Sequence, residues 1–347
     1  MLSLDTSSIL RPLMLVCALA GWTATTPVLG MELSAAEPAV PSRPGVVEPL
    51  SDEELRELSL LPQDLLPKER RQTAHYVKGN EGNLALFSPH IAGLGGAYVG
   101  IGSDQNFTLA HLAGADRLFI MDYDIVVVRV MRVYVALLKH CEDLAHLLEL
   151  WGNPDLRDQV TELLSREYPS SSEADDLVRV HRRYGKAIRK HLESSRSAAV
   201  KGKAVHWTRG EDSFRYVQTM ARRGAIRVLE GDLLGGKCVA GIGAYLRQKG
   251  IPLSVLYLSN AEEYWSRYTL AMEDSILSLP HNERSVVLRT IHDTRLPKCA
   301  PKNYYHYNIQ KVSALVRVIT SEKRPIRFRS MLRKLRFDQT PCLSFLD

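Results

Sequence analysis

Leu94-Gly95-Gly96-Ala97-Tyr98-Val99-Gly100-Ile101-Gly102-Ser103-Asp104-Gln105-Asn106-Phe107 is the stretch from which the fold is read. A short apolar run, a strand by its β-branched and aromatic content, enters Gly-x-Gly, and a helix-compatible segment from Gln105 to Leu112 follows directly. Strand, tight turn and helix in that order make a nucleotide-type loop, because glycine lets the backbone approach a ligand and a helix N-terminus offers free N–H groups. About twenty residues on, Leu118-Phe119-Ile120-Met121-Asp122 reads as a second buried strand ending in an acid, spaced to accept from ribose hydroxyls.

The rest of the chain repeats that unit. Ala225 to Asp232 is a strand ending in Gly-Asp, Lys237 to Lys249 a helix closed by Gly250, and Pro252 to Leu258 the next strand. Ser259 to Trp265 opens another helix, with Asn260 and Glu263 at capping-box spacing, and Arg284 to Ile291 is a further strand. Alternating strands and helices predict an α/β, Rossmann-like, mostly parallel sheet with helices on both faces. Ligands of such sheets sit at the carboxyl ends of the strands, so Asp122, Asp232, Ser259, Asn260 and Glu263 are expected to converge beside Gly100 and Gly102.

Composition sets the frame. The chain has 347 residues, 45% hydrophobic and 24% charged, which suits one large α/β domain with insertions or two smaller ones and excludes a disordered or fibrous protein. Lys and Arg outnumber Asp and Glu by 45 to 39, too mild an excess to matter unless it clusters. Cys17, Cys141, Cys238, Cys299 and Cys342 form no C-x-x-C pair, so neither a zinc ribbon nor a disulfide-dense scaffold is expected and any bridge is incidental.

At the N-terminus Arg11, the apolar run Leu13 to Trp22 and small residues ending at Gly30 have the layout of a secretory signal peptide, too short for a membrane span. Residues 1–30 therefore predict a secreted or periplasmic protein, with a cytoplasmic form as the alternative. Residues 31–50 read as a flexible linker, and Ser51 to Glu54 as a capping box opening a short helix through Leu58. The main α/β domain is placed at 51–325. Asp124 to Trp151 predicts one long buried helix, and 152–210 a helical insertion. In that insertion Leu177, Val180, Tyr184, Ala187, Ile188 and Leu192 form an apolar face, while Arg179, Arg182, Arg183, Lys186, Arg189 and Lys190 crowd the others. Such a helix reads as a solvated face on an inserted cap, with an anionic surface as the other possible partner. The basic tail, 326–347, reads the same way, a frayed end or a contact for an acidic surface. No specific nucleic acid and no oligomeric state are predicted.

The order of these features resembles class I S-adenosylmethionine-dependent methyltransferases, whose first strand ends in a glycine loop, second and third in acids, and fourth in site residues. More closely, G-x-G-x-x-Q-N-F at Gly100 to Phe107, F-I-x-D at Phe119 to Asp122, Gly231-Asp232, G-A-Y-L at Gly243 to Leu246, S-N-x-E-x-Y at Ser259 to Tyr264 and H-Y-x-x-Q at His306 to Gln310 resemble an uncharacterised methyltransferase-like family of bacteria and plants, over roughly residues 70 to 325. Ser103-Asp104 stand where the methyltransferase loop has its third glycine, and Ala97-Tyr98-Val99 where an acid precedes the first. The resemblance implies S-adenosylmethionine or a related small nucleoside held by Gly100, Gly102, Gln105, Asn106, Asp122, Asp232 and Ser259. In a methyl transfer, Asn260, Glu263 or His306 would orient or deprotonate the acceptor. The other class of function is an exported, non-catalytic binding or scaffold protein on the same fold.

Each of these residues also has a purely structural role open to it. The glycines can serve a tight turn, Asp104, Gln105 and Asn106 can cap a helix, the two aspartates can end strands, and His306 can be a packed, hydrogen-bonded histidine. The chain has no G-x-S-x-G elbow, H-E-x-x-H or Walker loop, and His281, His292, Cys299 and His306 are too unevenly spread to predict a metal site.

Overall fold

A computed structural model of the chain describes residues 49–66, 75–197, 205–299, 304–321 and 324–347, all within one unit that spans Pro41–Asp347. The leader, nearly all of the linker, and Lys201, Lys203 and Lys323 lie outside the described residues. In chain order the elements are α1 (Asp52–Ser59), α2 (Ser88–Ile91), β1 (Ala97–Ile101), α3 (Gln105–Ala113), β2 (Arg117–Asp122), α4 (Ile125–His140), α5 (Leu144–Gly152), α6 (Arg157–Glu167), α7 (Ser171–Ser197), α8 (Glu211–Arg222), β3 (Ile226–Glu230), α9 (Lys237–Lys249), β4 (Leu253–Ser259), α10 (Leu270–Leu277), β5 (His281–Ile291), β6 (His306–Lys311), α11 (Val312–Ser321), α12 (Phe328–Met331), β7 (Arg336–Phe337) and β8 (Leu343–Leu346).

The eight strands form one mixed, mostly parallel sheet in the order β3-β2-β1-β4-β5-β6-β8-β7. The first five are parallel, and β6 runs antiparallel to β5. Order reverses between β1 and β4: the chain first winds outward through β2 and β3, then crosses to the other side of β1. Parallel strands buried on both faces read as continuous apolar runs, and alternate side chains divide between two cores. Tyr98, Leu118, Ile120, Val255 and Tyr257 face the core packed by α3, α4, α5, α7 and α8. Val99, Phe119, Met121, Leu256 and Leu258 face the core packed by α9, α10 and α11. No helix among the described residues is long and apolar enough to cross a membrane.

Three expectations are corrected here. The long helix after Asp124 is two helices, because Cys141 leaves helical geometry and the Asp143 carboxylate accepts from the His146 N–H to start α5 afresh. The basic tail is no frayed end: β8 pairs in parallel with β6, and Cys342 is joined to Cys299 by a disulfide. In the insertion the apolar face of α7 is buried at Leu177, Val180, Ile188 and Leu192, but Ala187 is exposed, and the four residues Arg182, Arg183, Lys186 and Lys190 are exposed as the charge pattern predicts.

Candidate functional site

The site is assembled where the order of the sheet reverses, at the carboxyl ends of β1 and β4, the place where open α/β sheets hold ligands. The segment His75–Asn83, which precedes β1, is laid across this rim and tied to it at several points. His75 Nδ1 is 2.7 Å from the Asp124 carboxylate at the start of α4. The Gly79 N–H donates to Asp104 Oδ1 at 2.7 Å, beyond β1. Glu81 Oε1 accepts from the Tyr257 hydroxyl at 2.7 Å and from Ser259 Oγ at 2.9 Å, both on β4. The Asn83 N–H donates to the Tyr307 hydroxyl on β6. Burial pushes the Glu81 carboxyl up, against the two hydroxyls that favour its charged form. Ser259 holds a left-handed backbone at φ 48°, a costly conformation for a residue with a Cβ, and its side chain reaches Glu81 from there.

Asp104 is the centre of the other half of the site. Its position ahead of α3 predicts a cap, yet its side chain caps nothing. The carboxylate is wholly buried and turns outward from the helix: Oδ2 lies 3.0 Å from His191 Nε2, 3.4 Å from His206 Nε2 and 3.3 Å from Trp207 Nε1. Burial alone would raise this acid, but the charge and hydrogen bonds of His191 and His206 outweigh it and hold the carboxyl well below its usual range. His191 responds in kind, raised by Asp104 despite its own burial. Its placement comes from how α7 seats on α5. A Cβ at Gly185 would stand 2.2 Å from the Trp151 carbonyl oxygen, so only glycine allows this approach, and His181 Nε2 lies 2.8 Å from the Leu150 carbonyl oxygen one turn earlier. Together Gly79–Gly82, Asp104, Gln105, His191 and His206 line a cavity of about 260 Å³.

The residues expected to bind a cofactor have been given other work. A Cβ at Gly100 would lie 2.1 Å from Asn106 Oδ1, so this glycine makes room for the asparagine. Asn106 is fully buried, accepts from the Tyr98 hydroxyl and donates to the carbonyl oxygens of Ile101 and Ser103, which ties the turn to the strand it leaves. Gly102 is needed for its φ of 96°, and the amide of Gln105 lies over it. Asp122 Oδ1 accepts from the Asp124 N–H, and burial raises its carboxyl to about 7. Asp232 Oδ1 accepts from the Leu234 N–H within its own turn. The acid that serves the start of α9 is Asp64, which accepts from the N–H groups of Asp232, Lys237 and Cys238. Asp122 and Asp232 thus each give one carboxylate oxygen to a backbone N–H, and Asn106 fills the space beside Gly100, so these three positions have structural partners within the chain.

The expected catalytic residues are also dispersed. The helix expected from Ser259 to Trp265 is a single 3-10 turn over Ala261–Tyr264, and Asn260 makes no side-chain cap bond to it. Glu263 accepts instead from the His292 N–H and lines a second cavity, about 300 Å³, with Asp293, Arg295 and Arg329. His306 is fully buried, with Nδ1 2.9 Å from the Pro297 carbonyl oxygen and Nε2 2.8 Å from Ser344 Oγ, and burial lowers its pKa. Of the residues expected to meet at one rim, Gln105 lines the first cavity and Ser259 reaches it through Glu81. Glu81, Asp104, His191 and His206 were not among them. The one local sign was Gly79-Asn80-Glu81-Gly82, a polar, glycine-flanked turn just ahead of the first strand.

The fold and this site define an α/β protein with a doubly wound core and a polar, histidine-edged cavity at its switch point. The chain belongs to the family described as "Domain of unknown function (DUF7790)", whose model matches residues 76–345, well over half of its length and including the tail strands. No curated protein matches it by sequence.

Proposed function

We propose that this chain is an exported binding protein on a sheet of the class I methyltransferase type, holding a small polar ligand rather than S-adenosylmethionine. The reading rests on one observation: the strap Gly79–Gly82 crosses the switch point with Glu81 bonded to Tyr257 and Ser259, and the space left beside Asp104 and Gln105 is about 260 Å³. Sites for drug-sized ligands occupy roughly 300–1,000 Å³, so this one suits something smaller than a whole nucleoside cofactor. The strand order β3-β2-β1-β4-β5 with an antiparallel β6 supports the methyltransferase-type assignment of the fold. Export is supported by the signal-peptide layout of residues 1–30 and by the Cys299–Cys342 disulfide, a bond that persists in oxidising compartments.

A second reading, retained methyl-donor binding, has in its favour the place of Asp122, an acid at the end of β2. Thermal melting of the full chain with S-adenosylmethionine, S-adenosylhomocysteine and adenosine separates the two. A ligand present at a hundredfold its Kd adds about 2.7 kcal/mol and moves the midpoint by several degrees. Millimolar nucleosides are expected to leave it unmoved. A saturable rise that disappears in Asp122→Ala would restore the methyl-donor reading and remove ours.

A further inference from the structure

Asp104, His191 and His206 are the one group of three or more His, Cys, Asp or Glu residues among the described residues whose ligand atoms lie close enough to hold a metal ion, all within 4.8 Å of one another. We propose that Asp104 Oδ2, His191 Nε2 and His206 Nε2 bind a first-row divalent transition ion, with the ion's remaining positions open to the cavity lined by Asn80, Glu81 and Gln105. This inference does not rest on the ligand reading above, and either can fail without the other.

The spacing carries the first argument. Two ligand atoms each about 2.1 Å from one ion are about 3.0 Å apart at a right angle and about 3.4 Å apart at the tetrahedral angle. The carboxylate oxygen stands 3.0 Å from one imidazole nitrogen and 3.4 Å from the other. Hydrogen bonds alone would also give the shorter distance, so the second argument is one of valence. Asp104 Oδ2 has two lone pairs and is approached by three nitrogens, those of His191, His206 and Trp207, while Oδ1 takes the Gly79 N–H. As three separate hydrogen bonds, this set leaves one donor without a lone pair of its own. An ion in place of the two imidazole protons satisfies His191 and His206 through a single lone pair and leaves the other for the Trp207 N–H.

The surroundings fit the same role. The Gly79 and Trp207 N–H groups fix the carboxylate, and His206 Nδ1, which lies 2.8 Å from Thr208 Oγ1 and 3.2 Å from the Thr208 backbone N–H, would donate to that hydroxyl once Nε2 is a ligand. The His191 and His206 rings stand 79° apart, so their nitrogens approach from different directions. Two imidazoles and one carboxylate select zinc, iron(II), cobalt(II) or manganese(II) over calcium or magnesium, which prefer all-oxygen sites. Three protein ligands leave coordination positions free, and all three line the cavity. The ion would there present a Lewis acid to a small carboxylate, phosphate or water molecule.

The test uses the untagged full chain, stripped with chelator and titrated with Co²⁺ and Zn²⁺. The expected result is one equivalent bound, with visible cobalt d–d bands that zinc abolishes. His191→Ala and His206→Ala should each weaken binding by about 100-fold, Thr208→Val by about 10-fold, and His281→Ala not at all. No cobalt spectrum at one equivalent, or unchanged affinity in the two histidine variants, overturns the proposal. Should those variants fail to fold, zinc X-ray absorption on the unmutated protein decides: two imidazoles, no sulfur and further oxygen ligands uphold it, and fewer than two imidazoles overturn it.

Discussion

Replacing Gly100 by alanine separates a glycine kept for packing from one kept for ligand approach. The new methyl carbon would stand 2.1 Å from Asn106 Oδ1 and 2.6 Å from a ring carbon of Tyr98, both far inside contact distance. Asn106 cannot swing away freely, because it is buried and makes hydrogen bonds of 3.0, 3.0 and 2.8 Å to Tyr98, Ile101 and Ser103. Giving up two or three of these at about 1 kcal/mol each, with about 1–3 kcal/mol of overpacking, predicts a loss of about 3–6 kcal/mol. Urea unfolding of Gly100→Ala, Asn106→Ala and the double variant measures it. The methyl group that Gly100→Ala adds occupies space that Asn106→Ala vacates, so the double variant should be less destabilised than the sum of the singles by about 1–3 kcal/mol. A loss below about 1 kcal/mol in Gly100→Ala, or strict additivity, would refute this account and return Gly100 to the role of a ligand cradle.

Three other outcomes follow from the same geometry. The Cys299–Cys342 disulfide spans 43 residues, which in the loop-entropy model stabilises by about 4 kcal/mol, so Cys299→Ser with Cys342→Ser should lower the denaturation midpoint accordingly; an unchanged midpoint removes the bridge from the folded state. Glu262→Gln leaves the buried Arg289 guanidinium without its counter-charge and should cost about 3–5 kcal/mol, whereas exposed Glu283→Gln should cost almost nothing; equal effects would mean that the pair is not buried in solution. Asp122 has a folded pKa near 7, above its unfolded value, so it binds more protons folded than unfolded between about pH 4 and 7. Its contribution to stability is therefore full below pH 4 and lost as pH rises through 7. Asp122→Asn should flatten that decline in urea midpoints measured from pH 4 to 8, and identical slopes would count against the raised carboxyl.

Much of the framework was legible because its signals are local. Ala97 to Ile101, Leu118 to Asp122 and Leu253 to Leu258 are strands by apolar runs too short for helices, and Lys237 to Lys249 a helix that Gly250 closes in the left-handed conformation. Such signals repeat every few residues and survive whatever packs around them. The site was far less legible. Asp104 stands where a capping residue belongs, and Asn260 with Glu263 matches a capping box, yet none of these side chains caps. Asp104 and Glu263 meet stronger partners from elsewhere in the chain: His191 and His206 at Asp104, the His292 N–H at Glu263.

The sequence by itself determined the alternation of strands and helices, the glycine turn after the first strand and the basic face of α7, since each follows from side-chain chemistry within one or two turns of chain. Only the tertiary structure decided that His191, 87 residues from Asp104, would close over it, that Cys299 would meet Cys342, and that a strap from before the first strand would place Glu81 on Tyr257 and Ser259. Those meetings depend on strand register and on helices seating against one another. Neither leaves a period in the sequence, because the residues concerned become neighbours only after the sheet has closed its order.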